Sequence, residues 1–153
     1  MSFLGYLNQE KSVINEKQKE CDEHQFQLNS IQPKIEVLKP QKQKLEQQQD
    51  AKEKEIKQKK EGKNLASPDD KIRLRAEIEK LQDEVIEIVG EIGKIKVQIK
   101  DLEATQEKYQ NMLSRAEKFR KMLEEQYKDA ELQYKNDILN RLQSLYDIPS
   151  AEV

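Results

Sequence analysis

The sequence predicts an all-α protein, a long antiparallel two-helix coiled-coil hairpin, and three observations carry that expectation. The chain of 153 residues is 38% charged and only 35% hydrophobic, against roughly 25% and 45–50% in an average domain, which leaves too little apolar matter for a rounded core. Four glycines and four prolines leave the backbone almost uninterrupted. Apolar residues recur at alternating steps of three and four, the spacing that lays a narrow seam along a helix.

The turn is read first, because one stretch, 62–68, combines a helix stop with a helix start. Gly62 is able to take the left-handed conformation that closes a helix, and Lys59 and Lys60 before it suit the negative end of a helix dipole. Ser67 has the chemistry of an N-cap, Pro68 fits the first helical position, and Asp70 completes a capping-box-like spacing. The chain is thereby divided into an N-terminal helix over 1–61, a turn over 62–68, a C-terminal helix over 69–147 and a tail over 148–153. Ile148-Pro149 stops the second helix.

In the second helix Leu74, Ile78, Leu81, Val85, Ile88, Ile92, Ile95, Ile99, Leu102, Gln106, Tyr109, Leu113 and Ala116 form a heptad seam. Beyond it the series Phe119, Leu123, Tyr127, Ala130, Tyr134, Ile138, Leu142, Leu145 has a longer mean step, which predicts a straighter distal third. The first helix carries a fainter repeat. Positions 7, 14, 21, 28, 35, 42, 49 and 56 and those three residues after each give the same two-row pattern, and Pro33 and Pro40 predict a kink near 33–40.

Centring the turn near residue 65 predicts that residue i faces about 130 − i. Pro33 and Pro40 then meet the region of Gly90 and Gly93, and His24 meets Gln106 in a polar layer. The first helix runs out opposite about 127, leaving a distal overhang of the second.

Several function classes are set aside on composition. A formal net charge of −2 gives no overall attraction to nucleic acid or an anionic membrane. The lysine-rich stretch 34–63 holds no Arg and no aromatic residue, so it reads as a solvated face opposite the glutamates of 77–91. No apolar run is long enough to span a membrane, and the opening residues lack the features of a signal peptide. With one cysteine, the expected location is cytoplasmic, secretion as an effector being the alternative. Cys21 and His24 could form half of a metal site, yet no other Cys or His exists to complete it, so they read as seam residues. No phosphate loop and no catalytic constellation is legible; enzyme activity, cofactor, metal and small-molecule substrate are not expected.

What remains is protein contact. The overhang carries Tyr127, Tyr134, Ile138, Leu139, Leu142, Leu145 and Tyr146, and Phe3, Leu4, Tyr6 and Leu7 come to the same end. Either those N-terminal residues cover the surface within the chain or another chain docks there, and docking is the expectation. A possible second contact is Ile86, Val89 and Val97, which exceed what a two-helix seam needs. The reading is a non-enzymatic adaptor, spacer or assembly subunit acting through helical surfaces, by self-association or on another protein. With its mid-chain turn and adjacent termini, the architecture is similar to the coiled-coil stalk proteins of flagellar and type III export apparatus, which implies a ring ATPase as partner. A holdase chaperone and a secreted or phage-encoded inhibitor are the remaining alternatives.

Overall fold

The computed structural model describes residues 2–146; the tail over 148–153 and its Ile148-Pro149 stop lie outside them. The described residues form two long α-helices that pack against each other, α1 (Phe3–Lys63) and α2 (Pro68–Tyr146), with no strand among them. Two units are distinguished along the hairpin: unit 1, residues up to Leu28 with those from Lys108 onward, and unit 2, Asn29–Glu107.

Local chemistry sets the helix ends. Ser2 caps α1, its hydroxyl oxygen accepting the Gly5 N–H at 3.1 Å. At the start of α2, Pro68 is the first helical residue, the Asp70 N–H points at Ser67 Oγ at 3.4 Å, and the Ser67 hydroxyl donates to the Asp70 carboxylate at 2.9 Å. The end of α1 differs from the expectation. Gly62 lies inside the helix and adopts no left-handed backbone; α1 closes two residues beyond 61 through tight bonds from Leu65 N–H to Gly62 C=O and from Ala66 N–H to Lys63 C=O. Helix α1 also runs as one element through Pro33 and Pro40.

The seam of α1 follows the expected two rows. Leu7, Cys21, His24, Leu28, Ile31, Ile35 and Ile56 are buried, and the intervening seam positions are partly shielded, even where Lys42, Gln49, Lys52 or Lys59 stands there. In α2 the seam passes through Arg120 rather than Phe119. Arg120 is half-buried and Phe119 is 42% exposed. With Arg120 included, the shielded positions 113, 116, 120, 123, 127, 130 and 134 keep alternating three- and four-residue steps, so the heptad period does not lengthen. An arginine stem can line a seam while its guanidinium reaches the rim, which is why apolar patterning passed over it.

The register is shifted by one heptad from the expected one. In unit 2 the pairs Lys59–Glu77, Lys52–Glu84 and Gln32–Gln106 add to 136–138. In unit 1 Gln18–Arg120 and Phe3–Tyr134 add to 138 and 137. Residue i therefore faces about 137 − i. The turn is asymmetric in space: the first turn and a half of α2 continues past the level where α1 ends, with Leu65 and Ile72 exposed.

Three expectations change with the register. Pro33 and Pro40 fall opposite about 104 and 97, away from the glycines, and a Cβ at Gly90 or Gly93 would meet nothing within 4 Å. Gln106 donates to Gln32 at 2.6 Å instead of meeting His24. Pairing of the two helices reaches Tyr134 rather than ending near 127.

Candidate protein-docking surface

Unit 1 is built around the buried cluster Cys21, Leu28, Leu113 and Ala116, with Tyr109 packed against it. His24 belongs to the same layer: it is buried, its ring lies 6.1 Å from that of Tyr109, and neither ring nitrogen has a hydrogen-bond partner. Glu20 Oε1, the nearest acid to Nε2, stands at 3.8 Å. Burial pushes the Cys21 thiol up, so it is a packing group and a poor nucleophile. The described residues contain no group of three or more His, Cys, Asp and Glu placed to hold a metal ion.

The end of unit 1 collects the expected contact residues in two different ways. Leu7 is 4% exposed and Tyr127 and Tyr134 are half-buried, so these three belong to the intrachain seam. Phe3 stacks on Tyr134 with ring centroids 5.1 Å apart and planes 20° from parallel, and Tyr6 lies 6.2 Å from Phe3. The Tyr6 hydroxyl donates to Glu10, and that bond to a carboxylate, with the nearby negative charge, raises the tyrosine pKa. Among the described residues, Phe3 thus covers α2 at the level of Tyr134. Past that level Ile138, Leu139, Leu142, Leu145 and Tyr146 are all exposed, from 40% at Ile138 to 78% at Leu145, and Phe3 and Leu4 stay partly open beside them.

The second region, in unit 2, is of another kind. Ile86, Val89 and Val97 are exposed, with Ile86 and Val97 on the side of α2 away from the Ile88–Ile92 seam. They flank Gly90 and Gly93, which are also exposed. A separate groove between the helices is lined by Pro33, Val37, Leu38 and Leu102.

The signal that sequence reasoning missed was Arg120. Its guanidinium donates to Gln18 and stands 3.9 Å from Glu124, tying α1 to α2 within unit 1. Lys17 lies over the Phe119 ring at 5.1 Å, a cation–π contact that shields the displaced aromatic. Comparison with protein-family models, curated proteins and solved structures gives no match. Among the described residues no helix is long and apolar enough to cross a membrane.

Proposed function

We propose that this chain is a non-enzymatic assembly element, a helical hairpin that docks on a protein through the end of unit 1. The observation that carries the reading is the run Ile138, Leu139, Leu142, Leu145 and Tyr146, which continues α2 beyond its last contact with α1 and leaves five large apolar side chains exposed on one helix. A solitary amphipathic helix of about twelve residues is marginal in water, and a contiguous apolar face of this kind is the usual mark of an interaction site. Unit 2 then serves as the spacer. We place the protein in the cytoplasm, the compartment that suits a single buried thiol.

The test is the full chain carrying Ile138→Asp with Leu142→Asp. Both positions are exposed, so the melting temperature is expected to stay within a few degrees of the parent while association with any stoichiometric protein partner, a second copy included, is lost. Association unchanged by the two aspartates would reject the reading.

A further inference from the structure

We infer that the occupant of this apolar end is a second copy of the same chain, paired antiparallel through residues 135–146 of α2; the inference rests on the docking role proposed above. Its first support is continuity. Positions 138, 142 and 145 follow the row 127, 130, 134 that α1 covers at steps of four, four and three; an alternating seam would pass through Asp137 and Arg141, so the apolar face turns toward the flank of Leu139 and Tyr146 and needs another helix beside the line of α1. A second copy supplies one of matching length and direction. If a two-fold axis passes near residues 139–140, the second copy's Tyr146 reaches the level of Tyr134, where α1 leaves off with Phe3. It joins the seam beside the Phe3–Tyr134 stack, running antiparallel to α2 as α1 does.

The second support is charge. Asp137 and Arg141 stand four apart on one flank of the apolar row, and neither makes an ion pair among the described residues. In an antiparallel pair related by a two-fold axis, like flanks face each other. The axis that sets Ile138 against the second copy's Leu142 therefore sets each Asp137 beside the other copy's Arg141, twice over. A parallel pair offers nothing comparable. It brings Asp137 and Arg141 opposite the flank of Leu139 and Tyr146, whose one cation, Lys135, is already held by Glu131 at 3.2 Å. The contact is isologous and closes on itself, giving a dimer and no filament.

The experiment is sedimentation equilibrium of the purified full chain over a concentration series, with charge reversal at two exposed positions. A monomer–dimer equilibrium is expected, with Asp137→Arg alone and Arg141→Asp alone each weakening it at least ~10-fold, since like charges then face each other, and the double reversal restoring it. In a Cys21→Ala background, Leu139→Cys beside the axis is expected to cross-link the dimer, whereas Leu132→Cys, far from its counterpart in an antiparallel pair, is not. A chain that stays monomeric overturns the self-pairing while leaving the docking role to the Ile138/Leu142 test. A dimer indifferent to the single reversals, a double reversal that weakens it further, or equal cross-linking at both cysteines overturns the antiparallel geometry.

Discussion

Units 1 and 2 share one seam geometry and fill it with different chemistry. All eight aromatic residues of the chain fall in unit 1, while Pro33, Pro40, Pro68, Gly62, Gly90 and Gly93 fall in unit 2. Unit 1 is closed by a cluster around Cys21 and Leu113, by Tyr109 and by the Phe3–Tyr134 stack. Unit 2 has a smaller cluster, Ile56, Ile78 and Leu81 with Val85 against it, and places lysines in the seam. Two of those lysines are held by glutamates of the other helix, Lys52 to Glu84 at 2.6 Å and Lys59 to Glu77 at 2.7 Å, while Lys42 stands 3.6 Å from Glu46 of its own helix. Aromatic area gives contact energy wherever it is buried, whereas a lysine in a seam contributes its stem and needs a route to water or an acid for its ammonium. Unit 1 is therefore the part rich in aromatic area, and unit 2 the part whose seam depends on charged side chains.

The largest expected effect that sharpens this contrast is at Ile35, the most deeply buried side chain of unit 2 at 2% exposed. Ile35→Ala is expected to cost about 2–3 kcal/mol, the low end for a buried isoleucine because a two-helix seam lets water reach the space. Chemical denaturation would measure it, and hydrogen exchange should show the loss in unit 2 before unit 1. A change below about 0.5 kcal/mol would mean that the polar-rich seam of unit 2 is not held by its apolar layers.

Next in size are Gly90→Ala and Gly93→Ala. Neither glycine has a positive φ and neither makes a close approach that a methyl group would block, so each substitution should stabilise α2 by about 1 kcal/mol, the helix-propensity difference alone. Destabilisation at either position would reveal a contact that this face makes with another molecule.

His24→Leu probes unit 1. A buried imidazole with neither nitrogen bonded carries an unrelieved desolvation cost, so leucine is expected to raise stability by about 1 kcal/mol, read as an upward shift of the melting temperature. A lower melting temperature would show that the Glu20 contact outweighs that cost.

Acid should act on unit 2 by the smallest increment. Glu77 and Glu84 have lowered pKa values, chiefly because Lys59 and Lys52 donate hydrogen bonds to them. A carboxylate with a depressed folded pKa contributes its stability above the unfolded value, about 4.3, and loses it as pH falls through the folded one. Glu20 of unit 1 is lowered too, first by its bond from Lys17, yet that pair lies within α1 and does not join the helices. Acidification below about pH 4 should consequently loosen the Lys52–Glu84 and Lys59–Glu77 links, seen as faster amide exchange near residues 52–59 and 77–84. Protection there that is unchanged with pH would show that these ion pairs contribute nothing.

Much of the molecule is legible in the sequence, and particular residues show where legibility stops. Ser67, Pro68 and Asp70 write the start of α2 because capping is a local matter of hydroxyl, carboxylate and missing N–H. The rows 7–56 and 10–59 write the seam of α1, since burial on a helix follows spacing even where the residue is lysine or glutamine. Arg120 stayed hidden because its type argues for the surface while its stem serves the seam. Of the residues expected at a docking surface, Ile138, Leu139, Leu142, Leu145 and Tyr146 are marked by apolar spacing alone, whereas placing Leu7, Tyr127 and Tyr134 inside the seam requires knowing how far α1 reaches.

That reach is a question of register, which tertiary structure alone decided. The sequence determined two helices, a turn and the faces that meet, each from interactions within a few residues. A heptad pattern is unchanged by a slip of seven, so 130 − i and 137 − i bury the same rows, and the turn does not choose between them. The lysine pairs do not choose either, since a slip of seven would move Lys59 from Glu77 to Asp70 and Lys52 from Glu84 to Glu77; Gln32 does, because the slip would exchange its partner Gln106 for Ile99. Such pairs lie 18 to 74 residues apart in the chain, and only the folded hairpin brings them within reach.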